Sequence, residues 1–261
     1  LPKNCPECNN QLVRAEEAAV TRCVNNNCPA ILRCELRHWV DKESLDIDGL
    51  GEKIIEQLVN KKVIKSIANL YEIEIEVLTN MQRMGERLAR KLIQALDKSK
   101  RKPWYRQLYG LGIPQVGIRN AKLLAQEFND INQLSLAALE RPDAIKSING
   151  LGPEISHSLN QWFSCETKQK LIQDLKRVGI SFAATEEEIS SINREAKTSQ
   201  DNLIQSKNFV ITGTLKAFTR SEVKELIEFQ GGKVTGMVSK KTDYLIAGEN
   251  GGSKLHKAKE L

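Results

Sequence analysis

Four cysteines, Cys5, Cys8, Cys23 and Cys28, open the chain with the spacing C-x2-C-x14-C-x4-C. Close pairs of thiols separated by a loop suit a tetrahedral metal site, because each pair supplies two thiolates from a tight turn and the loop brings the second pair across. The predicted occupant is Zn2+ in a structural role, since four thiolates leave no coordination position open for substrate or water. A disulfide pair fits poorly with a chain read as cytoplasmic, and a redox C-x-x-C wants a βαβ setting that this segment lacks. Cys34 and Cys165 are left over and read as small buried hydrophobes, with Cys34 near enough to be a substitute ligand. Arg14, Arg22, Arg33 and Arg37 lie around the site, where they fit either phosphate contact or the solvated surface of a small module.

A second chemistry repeats along the chain. Ile47-Asp48-Gly49-Leu50-Gly51, Met81-Gln82-Arg83-Met84-Gly85, Gly112-Ile113-Pro114-Gln115-Val116-Gly117 and Ile148-Asn149-Gly150-Leu151-Gly152 share a pattern, and their last glycines are 34, 32 and 35 residues apart. Each precedes apolar residues at helical spacing, such as Ile54, Ile55, Leu58 and Val59, or Leu88, Leu92, Ile93 and Leu96. This is the helix-hairpin-helix pattern. Glycine permits a tight turn and a close approach of the backbone. The first amides of the following helix have no intrahelical partner and carry the positive end of its dipole, which suits a phosphate oxygen. The candidate DNA-backbone residues are therefore Gly49, Gly51, Lys53, Gly85, Arg87, Gly112, Gly117, Arg119, Gly150 and Gly152, the cations standing two residues past the last glycine. The fourth unit has Glu154 at that place and the second has Arg83 for its first glycine, so unequal DNA contacts are expected. A grip of this kind touches sugar and phosphate and reads no base edges. The run Lys98-Ser99-Lys100-Arg101-Lys102, beside Trp104 and Tyr105, fits either a phosphate-binding loop or a basic helix end over core aromatics. Trp39, Trp162 and Phe163 read as core.

Positioning these groups takes several units. At 261 residues the chain is too long for one minimal module. A net charge of +6, from 39 basic and 33 acidic residues, is within what a soluble surface carries and does not by itself indicate nucleic acid. No apolar run approaches the roughly 18–20 residues of a membrane span, no secretory signal opens the chain, and the predicted location is the cytoplasm. Clustered carboxylates of a metal-dependent nuclease or polymerase are missing; Glu186-Glu187-Glu188 lies in a polar stretch from Ala183 to Asn202 that reads as a mobile linker. After it, Phe209-Val210-Ile211 reads as a strand, Val223, Leu226, Ile227 and Phe229 as the apolar side of a helix, Lys233-Val234 and Thr242 to Ala247 as two further strands, and Ser253 to Leu261 as a helix start. With Thr212-Gly213 and Gly231-Gly232 as marks, this unit resembles a BRCT domain and is expected to be incomplete at its C-terminus. Lys240, Lys241 and Lys254 are expected to be solvated.

The predicted organisation is multidomain: a small four-cysteine zinc finger at 1–40, a mainly α-helical four-unit helix-hairpin-helix domain at 41–182, a linker at 183–202 and an α/β BRCT domain at 203–261. In that order, with phrases such as Asp46-Ile-Asp-Gly-Leu-Gly-Glu-Lys53 and Leu111-Gly-Ile-Pro-Gln-Val-Gly117, the chain resembles the C-terminal half of bacterial NAD-dependent DNA ligases. The resemblance implies a monomeric DNA-gripping portion that binds nicked double-stranded DNA in replication and repair. It also implies that the remainder of the ligase, its adenylation and oligonucleotide-binding (OB) domains, holds the NAD+ and Mg2+ or Mn2+ sites. The family's Lys-x-Asp-Gly motif is absent; Asp46-Ile47-Asp48-Gly49 has Asp in place of the lysine, so no residue here is catalytic and the chain alone is expected to be inactive. The alternative is a non-catalytic DNA-binding and protein-interaction scaffold of a repair complex.

Overall fold

The computed structural model describes residues 2–14, 21–25, 28–191, 204, 206–215, 218–249 and 252–260. It divides into two compact units, Leu1–Ser190 and Ser191–Leu261.

The first unit opens with strands β1 (Leu12–Val13) and β2 (Arg22–Cys23), an antiparallel pair. A tight turn precedes them: Asn9 takes a left-handed φ of 59°, its amide donates to the Cys5 carbonyl, and the Cys5 amide donates to Asn10. Helix α1 (Pro29–Val40) starts directly on Cys28, its N-cap, with proline at the first position where no amide is needed. The zinc module therefore does not run to residue 40 as a separate body. Leu36 and Trp39, on one face of α1, are fully buried in the core of the helices that follow, so α1 belongs to both.

Those helices are α2 (Glu52–Asn60), a 3-10 turn (Ala68–Glu72), α3 (Ile75–Thr79), α4 (Glu86–Ser99), α5 (Trp104–Gly110), α6 (Ile118–Glu127), α7 (Ile131–Glu140), α8 (Pro142–Lys146), α9 (Pro153–Phe163) and α10 (Glu166–Arg177). One apolar core runs through them from Leu36 to Phe182. Trp39, Trp162 and Phe163 lie in it as expected, while Leu88 is 52% exposed because the helical turn of α4 puts Ala89 inward in its stead. A buried polar relay ties the first half together. The Trp39 indole donates to the Tyr71 hydroxyl at 2.9 Å, Tyr71 meets Ser99 at 3.0 Å, and Ser99 donates to the Leu96 carbonyl at 2.7 Å. Burial raises the Tyr71 hydroxyl to about 12, which keeps it a neutral member of that relay.

The linker expected from Ala183 does not begin there. Ala183 bridges Asp130, the Ala184 amide donates to Asn129, and 186–191 form helix α11, whose Glu188 carboxylate accepts from the Trp104 amide at 3.2 Å. Polar composition misled because these residues satisfy backbone groups instead of solvent. Residues 192–202, the rest of that stretch, lie outside the described residues.

In the second unit β3 (Asn208–Thr212) is the central strand, flanked in parallel by β4 (Lys233–Thr235) and β5 (Tyr244–Ala247), with α12 (Arg220–Phe229) and α13 (Gly252–Glu260). Thr219 and Glu222 form a reciprocal capping box that starts α12. Phe209, Ile211 and Ile227 make the core, with Val223 packed against it, whereas Leu226 and Phe229 face outward at 50% and 40% exposure.

Candidate zinc site and nucleic-acid interface

The four predicted ligands converge. The sulfurs of Cys5, Cys8, Cys23 and Cys28 all lie within 4.8 Å of one another, with Cys5 and Cys28 at 3.8 Å and Cys8 and Cys23 at 3.5 Å. A tetrahedral zinc with bonds of about 2.3 Å has sulfur–sulfur edges of about 3.8 Å, so the cage has the right size. Its chemistry also fits a cation. The Asn10 backbone and the Asn25 side chain lower the Cys8 thiol to about 6, while burial pushes Cys28 up, the penalty on a bare thiolate that a bound cation would offset. Cys34 is exposed on α1 and outside the cage, contrary to both readings of it. Cys165 is half-buried at the N-cap of α10, 3.1 Å from the Thr167 hydroxyl.

The repeats form four hairpins. α1 and α2, α3 and α4, α5 and α6, and α8 and α9 each flank a turn whose last glycine is the N-cap of the second helix. Gly51, Gly85, Gly117 and Gly152 all have extended backbone, with φ of −72°, −77°, −73° and −92°, and no side chain caps any of them. A methyl group placed on Gly51, Gly85 or Gly117 would meet nothing within 4 Å, which leaves the amide end of each helix open to an approaching group. The strained position lies two residues earlier. Gly49 and Gly150 have φ of 92°, and there Arg83 and Gln115 each take φ of 64°. Gln115, not Gly112, thus holds the turn position of the third hairpin. Gly112, also left-handed, ends α5 beside His38, and the spacing to Gly117 hid this because the turn tolerates a polar residue in its place.

Lys53, Arg87 and Arg119 are exposed and form no ion pair among the described residues. Glu154 is exposed as well. Two residues that sequence reasoning missed brace the turns from neighbouring hairpins. Gln57 on α2 accepts from the Gln82 amide at 2.9 Å and donates to the Gln82 carbonyl at 3.4 Å, and Ser158 on α9 donates to the Pro114 carbonyl at 2.5 Å. Leu92 of α4 lies against Gly49 and Leu123 of α6 against Gly150, so the hairpins brace one another in pairs, first with second and third with fourth. Nothing in a lone Gln or Ser signals such a contact.

In the basic run at the end of α4, Lys98 and Arg101 are exposed while the other two cations are engaged within the fold. Lys102 pairs with Asp46 at 2.8 Å, Lys100 lies over the Tyr71 ring, and Trp104 is buried with its indole donating to Phe128. Arg106 donates to the carbonyls of Lys42, Glu43 and Ser44, fixing the loop that enters the first hairpin. Around the zinc site Arg33 pairs with Glu7 at 2.8 Å and donates to Asn60 at 3.2 Å. Arg22 is exposed.

A thiolate cage, paired glycine-capped helices and a parallel three-stranded unit define a modular zinc-finger, helix-hairpin-helix and BRCT protein. Family comparisons match each part: NAD-dependent DNA ligase C4 zinc finger domain at residues 4–30, SAM-like helix-hairpin-helix tandem at 41–98, helix-hairpin-helix motif at 106–172 and BRCA1 C Terminus (BRCT) domain at 199–261. In this order of parts the chain is similar to the C-terminal part of NAD-dependent DNA ligases. It is 52% identical over 261 residues to a DNA ligase of Synechococcus sp. (strain CC9605), covering 100% of this chain and 38% of that protein. To DNA ligases of Synechococcus sp. (strain WH7803) and Prochlorococcus marinus (strain NATL1A) it is 50% and 49% identical, again over the whole chain and 37% of each relative. The chain thus spans a little over a third of the length of these relatives. Among the described residues no helix is long and apolar enough to cross a membrane.

Proposed function

We propose that the chain holds duplex DNA by its sugar-phosphate backbone, as the DNA-gripping part of an NAD-dependent ligase that seals nicks in replication and repair. The observation that carries this is the set of glycine-capped helix ends: Gly51, Gly85 and Gly117 leave the amide end uncapped and open, and each is followed by a cation with no ion pair among the described residues, Lys53, Arg87 or Arg119. Amides bind one phosphate oxygen and the cation a second, and neither reads a base. The zinc, on Cys5, Cys8, Cys23 and Cys28, anchors α1 and takes no part in the reaction. Nucleotidyl transfer, with NAD+ and Mg2+ or Mn2+, falls to the remainder of the ligase, its adenylation and OB domains, because this sequence contains no Lys-x-Asp-Gly. The test is salt-titrated binding to nicked duplexes of two unrelated sequences. Arg119→Ala is expected to weaken both equally and to flatten the slope of log affinity against log salt by roughly 0.9. Weakening confined to one sequence would mean that the hairpins read bases and would end the backbone-grip reading.

A further inference from the structure

Three of the four hairpin helices carry a carboxylate in the first turn, Glu52, Glu86 and Glu154, where a bound phosphate would have to sit nearby. A carboxylate there favours the helix dipole but repels a phosphate approaching the same amides. The structure treats the three differently. Arg37, reaching from α1, pairs with Glu52 at 2.5 Å and lies 3.6 Å from Glu56. Arg90, one turn along α4, donates to the Glu86 carboxylate from two nitrogens at 2.6 and 3.1 Å. Glu154 has no ion pair among the described residues, and its Oε2 lies 2.9 Å from where a methyl on Gly152 would stand, folded back over the cap. α6 has no acid in its first turn.

We propose that Arg37 and Arg90 are positioning residues that hold and neutralise the Glu52 and Glu86 carboxylates, so that the first two hairpins accept phosphate, while Glu154 closes the fourth hairpin. Rank order follows: the third hairpin is open by composition, the first and second by a neighbouring guanidinium, the fourth not at all. Arginine suits the task, being always charged and able to grip a carboxylate with more than one N–H. The pairs are exposed, with side-chain exposures of 43% and 62% for Arg37 and Glu52, so they contribute little to folding and their removal should leave the fold intact.

This inference rests on the backbone-grip reading, and the experiment separates the two. The whole chain and its variants Arg37→Ala, Arg37→Lys, Glu52→Gln, Arg37→Ala with Glu52→Gln, and Glu154→Gln are titrated onto a nicked DNA duplex at several salt concentrations, with folding followed by circular dichroism. Arg37→Ala is expected to weaken binding about threefold to tenfold at low salt, and Arg37→Lys to weaken it less. Adding Glu52→Gln to Arg37→Ala should restore wild-type affinity, because the uncompensated charge is gone. Glu154→Gln should tighten binding about twofold or more. If the double variant stays as weak as Arg37→Ala, Arg37 touches DNA itself and the proposal fails, as it does if Arg37→Ala binds like wild type. Unchanged binding by Glu154→Gln overturns the assignment of the fourth hairpin. Wild-type binding that ignores salt would bring down the backbone-grip reading beneath it, and this proposal with it.

Discussion

Gly49 and Gly51 stand two residues apart and do different work. Gly49 sits at φ of 92°, where a side chain strains the backbone, with Leu92 3.8 Å from the place a Cβ would take; Gly51 has ordinary extended backbone and open space. Gly49→Val is therefore expected to destabilise the protein by on the order of 1–3 kcal/mol and to weaken DNA binding with it. Gly51→Val should leave the melting temperature nearly unchanged and weaken DNA binding alone, since it only fills the approach to the amides. Thermal unfolding and DNA titration of the two variants distinguish them, and a large stability loss in Gly51→Val would contradict the turn geometry. Asp46 gives a pH signature at the same scale. The hydrogen bond from Lys102 holds its carboxyl below the usual range, so the stabilisation is fully present above the unfolded-state value of about 3.9 and fades as pH falls through the lower native value. Lys102→Met should accordingly lower stability at neutral pH, with the gap to wild type closing in acid below about pH 4. Urea unfolding across that range measures it.

Among the elements, α1 couples the zinc cage to the hairpins. Its N-cap is a cage cysteine, Cys28, and its Leu36 and Trp39 are core residues of the first hairpin, while Arg33 joins Glu7 of the zinc turn to Asn60 at the end of α2. Metal binding in such a short segment is coupled to folding. Elemental analysis should find one zinc per chain, and a strong chelator should unfold residues before α1 and fray its first turns while the helical signal of α2 to α10 persists. Cys28→Ser should lose the metal and Cys34→Ser should keep it, because only the former points into the cage. Bracing between hairpins works at this level too: Gln57 and Ser158 each hold the turn of a neighbouring hairpin by a hydrogen bond.

At the scale of the whole molecule the proposed backbone grip makes a prediction about catalysis. The chain holds amides, cations and a structural metal site, and it contains no Lys-x-Asp-Gly lysine to attack a nucleotide. Incubation of the isolated chain with radiolabelled NAD and Mg2+ should therefore yield no covalent AMP adduct, whatever its affinity for DNA. A stoichiometric adduct would show that the missing motif is not needed.

Local patterns in the sequence determined the zinc ligands, the number of hairpins, the caps at Gly51, Gly85, Gly117 and Gly152, and the strands of the last unit. Each of these depends on residues within one turn or one loop of each other, where spacing and backbone preference decide the outcome. Only the tertiary structure decided which polar groups are free. Lys102 belongs to a run that fits a phosphate-binding loop, yet its partner Asp46, like the carbonyls of residues 42–44 that Arg106 meets, lies on a loop far back along the chain. The same holds for Gln115 taking the turn position expected of Gly112, and for residues 183–191 folding back onto Asn129, Asp130 and Trp104 where composition reads a linker. Which residue across the fold a charged group or an unpaired amide meets depends on packing between helices distant in sequence, and that is information no local spacing contains.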